Sequence, residues 1–158
     1  DALGLSAAET AQNFGFAMML SGASSLFSQA VIVQRFNLAP FTLLRFAIPL
    51  LIVAFTMMAL LETQLWLTIA MMVQGLGMGL ASPGFTAGAS LAVSPEEQGA
   101  VAGVAGSCGP LGFTLGPFIG GALYTLSPTA PYFFAAGLFL ILFLFMNQLG
   151  KRVRSHAT

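Results

Sequence analysis

No Asp, Glu, Lys or Arg occurs between positions 98 and 150, nor anywhere in 11–34, 46–61 or 63–95. A helix needs about 20 largely apolar residues to cross about 30 Å of hydrocarbon, so uncharged runs of this length are membrane spans or pairs of spans. A buried core helix or a signal peptide accounts for one such run, but several in series exceed both. Composition agrees: 57% of the 158 residues are hydrophobic and 6% are charged, against roughly 25% charged in an ordinary soluble domain. Too few ionic groups remain to solvate a globular surface.

The same scarcity excludes several functions. One cysteine, Cys108, allows no internal disulfide and no cysteine metal cluster. Five basic residues balance five acidic ones without forming a basic patch, so no nucleic-acid partner is expected. Neither a cofactor nor a metal is expected, and the spans hold no histidine or carboxylate from which hydrolytic chemistry is built. The chain starts at Asp1 without a basic segment ahead of an apolar run, and reads as part of a longer polypeptide.

The resulting fold class is all-α, a polytopic membrane bundle of five spans at 13–33, 40–61, 65–93, 99–124 and 131–149. Even the shortest covers about 28 Å at about 1.5 Å per residue. Residues 1–12 form an extracytoplasmic connector, 13–149 the five-helix region and 150–158 a basic cytoplasmic tail. Residues 37–40 interrupt the first pair, and Ser94-Pro95-Glu96-Glu97-Gln98 makes a polar break with Ser94 as the expected N-cap. Ser127, Pro128 and Pro131 divide the last pair. With five spans Arg35, Arg45, Lys151, Arg152 and Arg154 all fall on one side, which the positive-inside rule makes cytoplasmic. A four-span path separates the tail from Arg35 and Arg45.

The fourth span carries the most regular pattern. Gly99, Gly103, Gly106, Gly109, Gly112, Gly116 and Gly120 recur at steps of three or four, which puts them on one slowly drifting face that lets another helix approach closely. Pro110 and Pro117 each remove a backbone hydrogen bond and favour a bend. Static packing and packing at a moving interface both fit this stripe. The third span repeats the theme with Gly75, Gly79, Gly84 and Gly88 around Pro83.

Polar groups within spans are few. Gln74 needs a partner helix or an aqueous cavity, because a buried unsatisfied amide costs several kcal/mol. Ser21, Ser25 and Gln29 share one face of the first span, with Ser28 alongside; that stripe either lines a polar path or bonds to its own helix backbone. Ser21, Ser25, Gln29 and Gln74 are therefore the substrate-cavity candidates. Met57, Met58, Met71, Met72 and Met78, with the phenylalanines, suit apolar ligands or ordinary packing. Arg35, Arg45, Glu96 and Glu97 share a membrane side and are candidates for a cytoplasmic gate, with interfacial anchoring as the simpler role for the arginines.

Gly103, Gly112, Gly116-Pro117 and Gly120-Gly121 reproduce the spacing G, eight residues, G, three residues, GP, two residues, GG. This resembles the antiporter-associated signature of the major facilitator superfamily, especially its drug:proton antiporters, with every fixed position filled. The resemblance covers essentially the whole chain as five consecutive spans of an incomplete six-helix half. It implies a multi-pass cell-membrane transporter, read as a bacterial inner-membrane protein, alternating between inward-open and outward-open states. It further implies a small-molecule substrate, proton coupling, efflux, and a missing N-terminal half of the same polypeptide. The family's second-to-third-helix loop usually carries a glycine and an Asp-Arg pair, whereas Ala30 and Gln34-Arg35 here retain mainly the arginine. Met71 stands where first halves commonly place an arginine three residues before the Gln-Gly pair. These departures and the basic ending favour helices 8–12, with helices 2–6 as the alternative. A metabolite or sugar transporter of the same superfamily, and a non-transporting membrane scaffold, are the rival functions.

Overall fold

The computed structural model describes residues 6–155, with side chains described for Ser6 and for residues 8–148. The described chain is helical: α1 (Ala7–Phe27), a π-helical segment (Ser28–Val33), α2 (Gln34–Phe36), α3 (Pro40–Leu60), α4 (Gln64–Leu91), α5 (Gln98–Tyr124) and α6 (Ala130–Ser155). The five expected spans correspond to α1 with its π and α2 extension, and to α3, α4, α5 and α6. Four of these helices, all but α5, are long and apolar enough to cross a membrane. Through its whole length α5 is uncharged, but its glycines and prolines carry little apolar side chain, which lowers its mean hydropathy.

The ends follow local chemistry. Ser6 caps α1 through a reciprocal box: the Glu9 N–H donates to Ser6 Oγ at 3.3 Å, while the Ser6 N–H donates to a Glu9 carboxylate oxygen at 2.8 Å. Two orphan donors are thereby satisfied, and the helix begins at Ala7, inside the stretch expected to be a connector. Asn37 stops α2 in the left-handed region at φ 42°, which Asn tolerates better than most residues. Pro40 then opens α3 at a position where its missing N–H costs nothing. At the other end the backbone of α6 stays helical to Ser155, through residues expected to form a tail. The side chains of Lys151, Arg152 and Arg154, and all of His156, lie outside the described residues, as do residues 1–5 of the connector.

Ser94 departs from expectation and is not an N-cap. The residue before α5 is Glu97, whose N–H donates to the Ser94 carbonyl at 3.0 Å. With that amide taken, the Ser94 hydroxyl donates instead to the Glu97 carboxylate at 3.0 Å. The turn tightens before the helix begins.

Short links make successive long helices antiparallel, and the contacts agree. Along α4, Gly84 meets Leu43 and Pro40 near the start of α3, and Gly77 meets Leu51 and Ala47 farther along it. By contrast α1 and α4 run parallel, with Gly75 against Ser21 and Gly79 against Ser25 and Ser28. Between α1 and α3, α4 is the central helix; α3 also packs on α6, where Phe55 and Phe139 stack with ring centres 5.8 Å apart. Only limited stretches of α5 touch α4 and α6.

Among the described residues, six of the ten buried hydrophobic ones are alanine: Ala17, Ala47, Ala54, Ala59, Ala70 and Ala136. Large side chains such as Phe113, Phe118 and Leu91 stay exposed. Lipid tails are as apolar as leucine, so burying a large side chain between helices gains little; close backbone approach between small residues gains dispersion contacts. A water-facing surface with so much exposed apolar area would aggregate, and this pattern belongs in a bilayer.

Candidate functional site

The candidate cavity residues separate into two environments. On α1, Ser21 and Ser25 are half-buried, and their backbone faces α4: a Cβ on Gly79 would lie 2.5 Å from the Ser25 carbonyl oxygen, and one on Gly75 would collide with the Ser21 carbonyl. This close approach works only because α4 has no side chain at either position. Gln29, one turn on, is exposed, and its Nε2 donates to Ser25 Oγ at 3.3 Å. Gln74 is half-buried on α4, beside Gly75.

Ser28, by spacing a neighbour of the polar stripe, has a separate place in the structure. It has no exposed surface. Its hydroxyl donates to the Ser25 carbonyl at 3.0 Å and reaches the Leu76 carbonyl of α4 at 3.3 Å. Here the π-helical segment begins, and the Gln34 N–H at its far end donates to the Gln29 carbonyl five residues back. The buried hydroxyl was visible in the sequence as one more serine, but nothing there marked the change in helical pitch.

The glycine face of α5 is open within the described residues. At Gly99, Gly103, Gly106, Gly109, Gly112, Gly116, Gly120 and Gly121 a Cβ would meet nothing within 4 Å beyond the helix itself and its immediate chain neighbours. The helix is continuous through Pro110 and Pro117, although each proline leaves the carbonyl four residues earlier without its usual donor. Close approach by a partner helix is therefore available on this face but not used by α1, α3, α4 or α6.

An open notch of about 340 Å³ lies between α4 and α5, lined by Phe85, Ala89, Ala100, Val101, Val104, Ala105 and Cys108. None of the four polar cavity candidates lines it. The gate candidates also stay apart: Glu97 is engaged with Ser94, Arg35, Arg45, Glu96 and Glu97 are all exposed, and no ion pair joins the arginines to the glutamates among the described residues. The described residues hold no group of three or more His, Cys, Asp or Glu placed to bind a metal.

A bundle of apolar helices, small inside and large outside, defines a multi-pass membrane protein. The family model for the Major Facilitator Superfamily matches residues 1–156. The chain belongs to that superfamily, whose general function is membrane transport. Neither the comparison with curated proteins nor that with solved structures gave a match.

Proposed function

We propose that this chain forms helices 8–12 of a proton-coupled exporter of small amphipathic or drug-like compounds, working by alternating access. The observation that carries the reading is the filled Gly103, Gly112, Gly116-Pro117, Gly120-Gly121 pattern on a helix whose glycine face is uncovered. A face without side chains is suited to a helix that must approach closely and still move, and the partner would come from an N-terminal half of the same polypeptide. Cargo would bind mainly to apolar and aromatic surface, with Gln29 or Gln74 orienting it. The five basic residues, on one side in a five-span path, support a cytoplasmic C-terminus. No acid or base lies in the middle of a span, so the proton-binding group would belong to the other half.

The test is flux in sealed proteoliposomes holding the full-length protein, challenged with lipophilic cations and neutral drugs. A substrate gradient should drive proton movement that requires both the protein and a particular compound. Substrate movement without protons would keep transport and reject the coupling. Failure of both across a broad panel, with folded protein, would reject drug export.

A further inference from the structure

We propose that residues 28–33 are a hinge in the first span and that Ser28 is the clasp that holds it, tying α1 to α4 at the point where both helices are weakest.

The π turn is a rare conformation that interrupts α-helices, mostly as a single turn and frequently at functional sites. Both ends of this segment carry a divided donor. The Ser28 N–H is shared between the Ser24 and Ser25 carbonyls, and the Gln34 N–H between those of Gln29 and Val31. An amide already shared between two acceptors can shift toward either one without first losing a full bond, so the boundary of the segment is soft.

On the facing helix, Pro83 supplies no N–H to the Gly79 carbonyl four residues earlier. Gly79 is the residue pressed against Ser28 and Ser25, and the Ser28 hydroxyl bonds the Leu76 carbonyl less than one turn before it. A softened turn of α1 thus lies against a softened turn of α4, joined by one hydrogen bond from the buried Ser28 side chain.

The two ends of the first span differ accordingly. Toward the N-terminus, the backbone at Ser21 and Ser25 fits closely against Gly75 and Gly79. Beyond the clasp, Gln29, Ala30 and Val31 are exposed, and Ile32 and Val33 are half-buried against the cluster of Leu43, Ala47 and Leu80, a contact that release would have to part. Conversion of the π turn to α would rotate everything after it by about 100°, one residue's worth of helix. Arg35 and Phe36 would swing to a new direction while Ser21 and Ser25 kept theirs. The clasped and released forms are two discrete arrangements of the kind that lets a helix bend at a fixed place.

The inference rests on the transport reading only for its purpose, since such a hinge serves alternating access. Its test uses neither cargo nor protons, so it can fail or stand apart from drug export. Spin labels are placed on the full-length protein in nanodiscs, in a cysteine-free background, at two pairs of exposed positions. Phe36→Cys with Leu91→Cys reports beyond the clasp, and Phe16→Cys with Leu65→Cys reports before it. Ser28→Ala should alter the population ratio of the first pair's distances about fivefold, the size of effect that loss of one net hydrogen bond produces. The second pair should not change, and Ser25→Ala should leave both pairs unchanged. An unchanged first pair, or an equal change in both, would overturn the clasp. The unsubstituted protein supplies an independent measurement: amides at 29–34 should exchange with solvent deuterium faster than those at 14–24. Equal protection along the span would overturn the hinge.

Discussion

In α4, Gly75, Gly77, Gly79 and Gly84 are buried against α1 and α3, whereas the eight glycines of α5 from Gly99 to Gly121 face open space. The two helices look alike in sequence, each apolar, glycine-rich and interrupted by proline. Their environments show that small residues record where a backbone can approach but not which backbone does. For α4 the partners are in this chain, and close packing fixes helix position. For α5 the same chemistry is unspent, which leaves its glycines as the part of the bundle least tied to the stability of the described fold.

Substitutions can break that contrast. Of three substitutions the largest effect is expected at Gly79→Ala, where the new methyl would meet Ser28 Oγ and lie 2.5 Å from the Ser25 carbonyl oxygen. Because backbone cannot yield as a flexible side chain does, the protein should lose about 3 kcal/mol, the upper end of ordinary overpacking, measured by reversible unfolding in mixed micelles. Unchanged stability would mean that α1 and α4 do not meet through this glycine.

Gly84→Ala should cost less. Its methyl would lie 3.1 Å from Leu43 Cβ and from the Pro40 carbonyl oxygen, and 3.2 Å from Leu44 Cγ. A small shift relieves these contacts, and about 1 kcal/mol is expected in the same assay. A cost equal to that at Gly79 would show that α3 is held as rigidly as α1.

The smallest stability effect is expected at Gly112→Ala. Nothing opposes a methyl there, so stability should stay level or rise by up to about 1 kcal/mol, the helix-propensity difference between the two residues. Transport by the full-length protein should nevertheless fall if a moving helix uses this face. Normal stability with impaired flux would sharpen the contrast between α4 and α5; normal values of both would remove α5's glycines from the mechanism.

The division into five long helices was legible because an uncharged run admits few alternatives in a long chain, although four of the five, all but α5, have a spanning helix's length and hydropathy. Helix ends were legible where the turn chemistry was unambiguous, as at Asn37 and Pro40. The two Ser-x-x-Glu sequences show the limit. Ser6 and Glu9 form the reciprocal cap, although Ser94 and Glu97 had the more conspicuous surroundings. Which pattern caps depends on whether the glutamate's N–H is free, and a preceding carbonyl can claim it. The π turn left no mark, since Ser28-Gln29-Ala30-Val31 suits either pitch. Pairing was the least legible feature: spacing puts Ser21 and Ser25 on one face, but only the assembled bundle sets Gly75 and Gly79 against that face. The same gap separates naming Arg35 and Glu97 as neighbours on a membrane side from bringing them into contact.

The helices that share the most extensive packing differ in length: α3 has 21 residues and α4 has 28, or about 31 and 42 Å along their axes. A hydrocarbon layer about 30 Å thick matches α3 standing upright but can contain α4 only if that helix tilts or extends into the headgroups. Because Gly77 and Gly84 join the two, neither adjusts alone. Bilayer thickness therefore acts on the bundle as a mechanical load, with α4 as the long lever and its contact with α3 as the fulcrum. Shorter acyl chains would press α4 toward greater tilt and longer ones would relax it, making the lipid around this protein a variable of its activity.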